Sequence, residues 1–315
     1  GGGAVANTVN ISTTNATETV AITETESAPT VELTALTRTI AEGDDDLTLT
    51  ATLTGSTYED VTIVLARAGT ATSGTDYSLA NITIPAGTTT ATAAFSPTAD
   101  SLYEGANELA TITIGSVSGG GVTLGSANTA SITITDGDSA PTVTLASSAS
   151  SVAEGSSVTL TATLSVATTA AVTVPLDTSG ATEGTDYGAL SDITIAAGST
   201  TGTVTLTATD DSVYEGTETA TVSIGTVSGA SASAASSGTS VVVTITDAQS
   251  APVLTLQGSS SSTAERNGTA ITITVSSSVA ADVDMIVTLS ASGTGITSYD
   301  YTMTTATISA LSQSG

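Results

Sequence analysis

The sequence repeats itself at an interval of about 111 residues, and this period constrains the fold more than any other feature. The tripeptide Ser-Ala-Pro begins at Ser27, Ser139 and Ser250, so three stretches of the chain start in the same way. The motifs AEG, TDY and YEG follow the first two occurrences in the same order. Self-similarity at a fixed period indicates that one structural unit is copied along the chain.

The motifs divide the chain into two complete units and two partial ones. We predict complete units at residues 28–138 and 139–249. Residues 250–315 begin a third unit and stop in its middle, whereas residues 1–27 are similar to the end of a unit. We therefore expect a string of like domains, with the terminal strands of a preceding or partner unit at the start and an incomplete unit at the end.

Within each unit, apolar and polar residues alternate with a period of two. The segment SVTLTATL places Val158, Leu160 and Leu164 on one face and serine or threonine on the other. Strict alternation predicts strands that are buried on one side, and no segment has a convincing helical period. About seven short strands in each unit predict an all-β fold, an antiparallel β-sandwich of the immunoglobulin-like kind.

The charged residues are almost all acidic, which excludes several kinds of chemistry. The chain has 30 Asp and Glu against three Arg, and it has no Lys, His, Cys or Trp. It therefore lacks thiol and imidazole nucleophiles, Schiff-base lysines and thiolate zinc sites. Nucleic acid is not an expected partner, because such binding uses Lys and Arg to neutralise phosphates. Membrane insertion is not expected either, because no apolar run approaches the ~18 residues of a membrane helix.

A short acidic stretch occurs in both complete units without a cation nearby in the sequence. TATDDSVYEGTE, residues 207–218, has four carboxylates, and SPTADSLYEGANE, residues 96–108, is very similar. Like charges that lie close together destabilise the fold unless a cation intervenes. Ca²⁺ takes about six to eight oxygen ligands, so a bound metal is one explanation. Solvated turns of an acidic protein are the other.

Taken together, these motifs resemble the Calx-β domain. AEG, GTDY, DDSVYEGTE and a closing TITD follow the order and spacing of that family through both complete units, and the resemblance extends into the first half of the third. It implies a seven-stranded sandwich with Ca²⁺-binding loops at one end. The metal ligands that it implies in the first unit are Glu42, Asp76, Asp100, Glu104, Glu108 and Asp136, with Asp138 nearby. Those in the second unit are Glu154, Asp186, Asp210, Asp211, Glu215, Glu218 and Asp247.

The first and third units depart from this pattern. Ala99 stands where the second unit has Asp210, and one residue is inserted before Glu108, so we expect the first site to be poorer in ligands. The third unit keeps Glu265 and Asp300 but lacks the acidic loop. Alone it is expected to bind metal weakly or not at all.

Short connectors join the units. Their sequences, DGDSAPT and DAQSAPV, contain Pro141 and Pro252, which restrict the backbone. A metal held by Asp136 or Asp247 would lie at the junction with the next unit and stiffen it. We therefore predict a rod that is rigid with Ca²⁺ and flexible without it.

The two ends of the chain carry complementary parts of one unit. Strands predicted around Val9–Ile11 and Thr19–Thr23 resemble the late strands that residues 250–315 lack. An incomplete sandwich exposes edges that invite strand addition, so the tail of one molecule could complete the head of another in an open, head-to-tail filament. The alternative is that the chain is a window cut from a longer repeat protein.

These features predict an extracellular structural or adhesive protein of a bacterial surface, in the form of a Ca²⁺-stiffened stalk or filament. Its partners would be further copies or a longer repeat chain, with contact to a cell surface or matrix. The alternative is a surface module of a large adhesin that binds a glycan or ice. We expect no enzyme, because paired acids such as Asp210 and Asp211 lie adjacent in one loop rather than across a cleft, and acidic loops recur in both units.

Overall fold

The computed structural model divides into two compact units, Gly1–Ser139 and Ala140–Gly315. The residues that it describes are 9–13, 16–20, 25–34, 36–263 and 270–312. Strands are the only regular secondary structure among these residues, which confirms the predicted all-β class. None of them belongs to a helix of the length and apolarity needed to cross a membrane. Glu265 and part of the predicted strand Thr19–Thr23 lie outside the described residues.

The first unit is a sandwich of two five-stranded sheets. The strand orders are β4-β13-β11-β6-β8 and β12-β3-β5-β9-β7, and β1 and β2 form a separate two-stranded sheet. The strands are β1 (Val9–Thr13), β2 (Ala16–Val20), β3 (Thr30–Leu33), β4 (Leu36–Ala41), β5 (Leu47–Leu53), β6 (Val61–Gly69), β7 (Tyr77–Leu79), β8 (Ile82–Ile84), β9 (Thr90–Pro97), β10 (Leu102–Tyr103), β11 (Glu108–Ser118), β12 (Thr123–Leu124) and β13 (Thr129–Thr135).

An early strand and the last strand of this sandwich are neighbours, which decides where the acidic residues meet. β4 pairs in parallel with β13 and ends with Ala41 opposite Thr135. β11 pairs antiparallel with β13 and begins with Glu108 opposite Ile134. The end of β4, the end of β13 and the start of β11 therefore meet at one end of the sheet.

The core of the first unit consists of the residues that the alternation assigns to the inner face. Leu49 and Leu53 of β5 are buried, whereas Thr52 between them is exposed. Tyr77 from the TDY motif is fully buried, and its ring stacks on that of Phe95 with centroids 4.5 Å apart. Tyr77 is therefore a packing residue.

The second unit contains a sandwich and a following segment. Two four-stranded sheets, β21-β16-β14-β24 and β15-β25-β23-β19, and the pair β18-β20 belong to the sandwich. The strands are β14 (Thr142–Ser147), β15 (Ser151–Ala153), β16 (Ser157–Leu164), β17 (Ala167–Thr168), β18 (Val172–Val174), β19 (Leu176–Gly180), β20 (Ile193–Ile195), β21 (Thr201–Thr207), β22 (Val213–Tyr214), β23 (Thr217–Ile224), β24 (Ser233–Ala234), β25 (Ser240–Thr246), β26 (Leu254–Gly258), β27 (Ile273–Ser277), β28 (Ala280–Ala281), β29 (Met285–Val287) and β30 (Ala306–Ile308).

The second sandwich repeats the strand arrangement of the first. β15 pairs in parallel with β25 and ends with Ala153 opposite Thr246. β23 pairs antiparallel with β25, with Glu218 opposite Ile245. Tyr187 of the second TDY motif is fully buried in the core, like its counterpart in the first unit. The two sandwiches therefore present equivalent ends for equivalent acidic motifs.

The segment after the second sandwich forms two-stranded pairs. β26 pairs with β27, β29 pairs with β30, and β28 pairs with β22 of the preceding sandwich. Large apolar side chains of this segment are exposed, among them Leu256, Val283, Ile286 and Leu311. Among the described residues, this segment therefore has no sheet of more than two strands.

The core assignment can be tested on one strand, β16. Leu160 is fully buried and its neighbour Thr159 is exposed. Leu160→Ala removes packed methyl groups and leaves a cavity, so we expect the free energy of unfolding to fall by about 2–5 kcal/mol. Thr159→Ala should cost about 1 kcal/mol or less. Denaturant unfolding followed by circular dichroism measures both, and equal losses would contradict the assignment.

Candidate metal centres

The end of the first sandwich gathers acids that lie far apart in the sequence. Glu42 follows β4 and Asp136 follows β13. Because β4 and β13 pair in parallel, these two acids lie side by side where the strands end. The backbone N–H of Glu42 donates to the carbonyl of Thr135 at 3.0 Å. Glu108 begins β11 at the same end. We call this end, with its loops, the first tip.

The TDY turn brings Asp76 to the first tip. Its carboxylate accepts a hydrogen bond from the N–H of Thr72, and its carbonyl accepts one from the N–H of Thr98 at 2.9 Å. The turn is thereby fastened to the start of the acidic loop, and Asp76 is only 8% exposed. Within the loop, Asp100 Oδ1 accepts from the N–H of Leu102 at 2.8 Å, which shapes the turn.

Asp136 holds the acidic loop against the connector. Its Oδ2 accepts from the N–H groups of Glu104 at 2.7 Å and Gly105 at 3.0 Å, and its Oδ1 accepts from the N–H of Asp138 at 2.8 Å. Gly105 has a φ of 77°, a conformation that glycine adopts at little cost. We call this arrangement the aspartate clamp. It also places Asp138 beside the loop.

The second tip has the same clamp. Asp247 accepts from the N–H groups of Glu215 at 2.6 Å, Gly216 at 2.8 Å and Gln249 at 2.7 Å. Glu154 follows β15 at the same end of the sandwich. The predicted ligands Asp136 and Asp247 therefore organise the loop and connector through backbone amides.

Asp186, Glu215 and Glu218 form the closest group of acids at the second tip. One carboxylate oxygen from each lies within 4.8 Å of the others. Asp186 is 8% exposed, and its Oδ2 accepts from the N–H of Thr182. Because Ca²⁺ contacts oxygens at about 2.3–2.6 Å, oxygens this close together can share one ion.

Gln249 is a residue of the second tip that the motifs did not predict. Its Nε2 donates to Asp210 Oδ1 at 2.9 Å. In the first unit the corresponding positions hold Asp138 and Ala99. The acid absent from the first loop is thus matched by one in the connector. An alignment of the two connectors, DGD and DAQ, shows this difference in the sequence alone.

Burial and mutual repulsion raise the pKa of acids at both tips. Burial is the largest cause, and neighbouring acids add to it, so the pKa of Glu42, Glu108 and Glu215 rises to about 7 in each case. For Glu108, the acid that raises the pKa most is Asp76. The same causes raise the pKa of three further acids, Glu104, Glu154 and Glu218. The tips are therefore places where negative charge is poorly compensated.

Two buried oxygens at the tips lack hydrogen-bond partners. They are Glu108 Oε2 and Gln249 Oε1; the hydroxyls of Tyr77 and Tyr187 are also unpartnered among the described residues. Buried polar atoms normally have a partner, and carboxylate and amide oxygens are the ligands that Ca²⁺ prefers. The second tip, where three carboxylate oxygens lie within 4.8 Å of one another, therefore fits a divalent cation that binds oxygen.

The sequence matches two family models, one for each sandwich. Residues 24–138 match the Calx-beta domain, and residues 138–248 match the LapA domain. Among curated proteins, none matches this sequence.

Similar solved structures include a Calx domain pair and two adhesins. CBD12 from CALX1.2 is 18% identical, with a TM-score of 0.32, and the match covers 69% of this chain and 99% of that one. FdeC, an adhesin of Escherichia coli, is 14% identical over 80% of this chain and 74% of that one, with a TM-score of 0.27. The adhesin InvE of Yersinia pseudotuberculosis is 14% identical over 70% and 58%, with a TM-score of 0.25.

The family match over the first unit agrees with the fold and with the motifs from which the resemblance was drawn. The AEG, TDY and YEG motifs of both units lie at the same end of their sandwiches. The chain therefore has, at residues 24–138, a β-sandwich that matches the Calx-beta domain, followed in tandem by a second β-sandwich that matches the LapA domain.

Proposed function

We propose that the chain is a structural segment of an extracellular adhesive protein, and that Ca²⁺ bound at the tips of its sandwiches stiffens it. The observation that carries this proposal is the group formed by Asp186, Glu215 and Glu218, whose oxygens approach within 4.8 Å. The chain has only three basic residues to set against 30 acids, so its own side chains offer little positive charge. The match to the Calx-beta domain supports the proposal.

The aspartate clamp explains how an ion would act on the rest of the molecule. At the second tip, Asp247 ties the loop residues Glu215 and Gly216 to the connector residue Gln249. An ion held by Glu215 and Glu218 would fix the same loop from its other side. Loop and connector would then be held together, and the direction in which the chain leaves the sandwich would be restricted.

We also propose that self-association by strand addition covers the open segment that follows the second sandwich. In support, β26–β27 and β29–β30 are two-stranded pairs, and Leu256 and Ile286 are largely exposed. The proposed occupant is residues 1–27 of a second copy, because they resemble late strands and because β1 and β2 pair only with each other among the described strands. Such head-to-tail contacts build an open filament.

Stability should depend on pH without Ca²⁺ and become independent of pH when Ca²⁺ is in excess. Glu42, Glu108 and Glu215 have pKa values raised from 4.5 to about 7, so their contribution to stability is complete below about pH 4.5 and is lost as the pH rises through 7. In EDTA we expect the melting temperature to fall between pH 5 and pH 8. Excess Ca²⁺ should abolish the fall. A flat profile in EDTA, or no effect of Ca²⁺, would contradict this.

Calcium should bind at the tips and change the dimensions of the chain. We expect calorimetry to detect binding, and Glu215→Gln with Glu218→Gln to remove the sites of the second tip. The matched control is Glu183→Gln with Asp192→Asn, which removes two exposed acids outside the predicted ligands and should leave binding unchanged. Small-angle scattering should show a larger, better-defined maximum dimension with Ca²⁺. An identical maximum dimension in chelator would exclude stiffening.

Polymerisation should require residues 1–27. We expect light scattering and negative-stain images to show polymers whose length grows with concentration, and deletion of residues 1–27 to abolish them. A peptide of residues 1–27 added in excess should cap the polymers. A chain that is monomeric at every concentration would exclude completion between copies and favour completion by neighbouring parts of a longer chain.

A further inference from the structure

The segment after the second sandwich is attached to the acidic loop itself. β22 lies within the loop, between Asp211 and Glu215, and it pairs in parallel with β28 so that Tyr214 is opposite Ala281. One residue further on, the N–H of Asp282 donates to the carbonyl of Tyr214 at 3.3 Å. The loop thus has its own sandwich on one side and the following segment on the other.

Asp282 of the segment and Glu215 of the acidic loop line the same cavity. This open cavity has a volume of about 480 Å³, and Gly216 and Met285 are also among its lining residues. The negative charge of Asp282 contributes to the raised pKa of Glu218, after burial and the effect of Asp186. The segment therefore adds a fourth carboxylate near the close group of three.

No side chain of the described second unit can neutralise this additional charge. Residues 140–263 and 270–312 contain no Lys, Arg or His. At the same tip, Gln249 Oε1 is buried and has no hydrogen-bond partner among the described residues. When the segment brings another acid to this tip, repulsion between the carboxylates increases. A bound cation then contributes more to stability than it would in the sandwich alone.

We propose that Asp282 supplies a ligand to the cation of the second tip, so that one ion is shared between the sandwich and the segment that follows it. This inference rests on the calcium binding proposed above. Asp186, Glu215 and Glu218 approach the ion from the sandwich, and Asp282 approaches it from across the cavity. Because Ca²⁺ takes about six to eight oxygens, the additional carboxylate is readily accommodated. Calcium then holds the segment in place through Asp282, in addition to the pairing of β22 with β28.

Asp284 provides a matched control. It lies two residues from Asp282, on the same segment, and carries the same charge. Its Oδ1 accepts from the N–H of Ala310 at 2.7 Å, within the segment's own pairing. Asp284→Asn changes the net charge as Asp282→Asn does and keeps an oxygen for that hydrogen bond. Only Asp282→Asn alters a carboxylate that lines the cavity together with Glu215.

The experiment uses the full chain with the first tip disabled by Glu104→Gln and Glu108→Gln, so that calorimetry reports the second tip alone. In this background we expect Asp282→Asn to weaken Ca²⁺ binding roughly tenfold. Asp284→Asn should weaken it by less than about twofold. In EDTA, the melting temperature of Asp282→Asn should be unchanged or higher, because a repelling charge has been removed. A residue with only a structural role would lower it.

Limited proteolysis gives a second readout. Ca²⁺ should protect residues 250–312 from cleavage in the background chain and in Asp284→Asn, and not in Asp282→Asn. Equal affinities for the background chain and both variants would overturn the inference while calcium binding stands. Equal weakening by both variants would also overturn it, because the effect would then be one of net charge. If the second tip takes up no Ca²⁺ at all, both the inference and the proposed function fail there.

Discussion

Repulsion between carboxylates at one end of each sandwich is the interaction on which the rest of the structure depends. Backbone amides offset part of this repulsion, since Asp136 and Asp247 each accept hydrogen bonds from three N–H groups. For other acids at the tips, burial and then repulsion by neighbouring acids raise the pKa, to about 7 for Glu108 and Glu215. The tips are therefore built from two kinds of acid, one that organises the loop and one that is left facing its neighbours.

The two tips differ in which residue of the loop and connector carries the acid. In the second, Asp210 in the loop is bonded to the amide of Gln249 in the connector. In the first, Ala99 takes the loop position and the acid is Asp138, in the connector. Each tip has one acid in this pair of positions, which lies in the loop at the second tip and in the connector at the first. The surroundings of the connector therefore differ between units that share one fold.

Much of this structure could be predicted from the sequence, because the signals are local. The alternation around Leu160 identified strands and their buried face, and the repeated TDY motif located Tyr77 and Tyr187, both of which are in the core. The motifs also located the acids of both tips. Gln249 and Asp282 were missed for a physical reason. Their roles depend on which strands are neighbours, and no local pattern specifies the parallel pairings of β15 with β25 or β22 with β28.

Parallel pairing between an early strand and the last strand has a mechanical consequence. A pull that reaches β4 and the end of β13 loads both strands along their length, so that the hydrogen bonds between them are sheared together rather than opened one by one. In the first unit this contact spans six residue pairs, and in the second, β15 and β25 share only three. Under tension we therefore expect this contact to give way at a lower force in the second sandwich, where Glu154 directly follows β15.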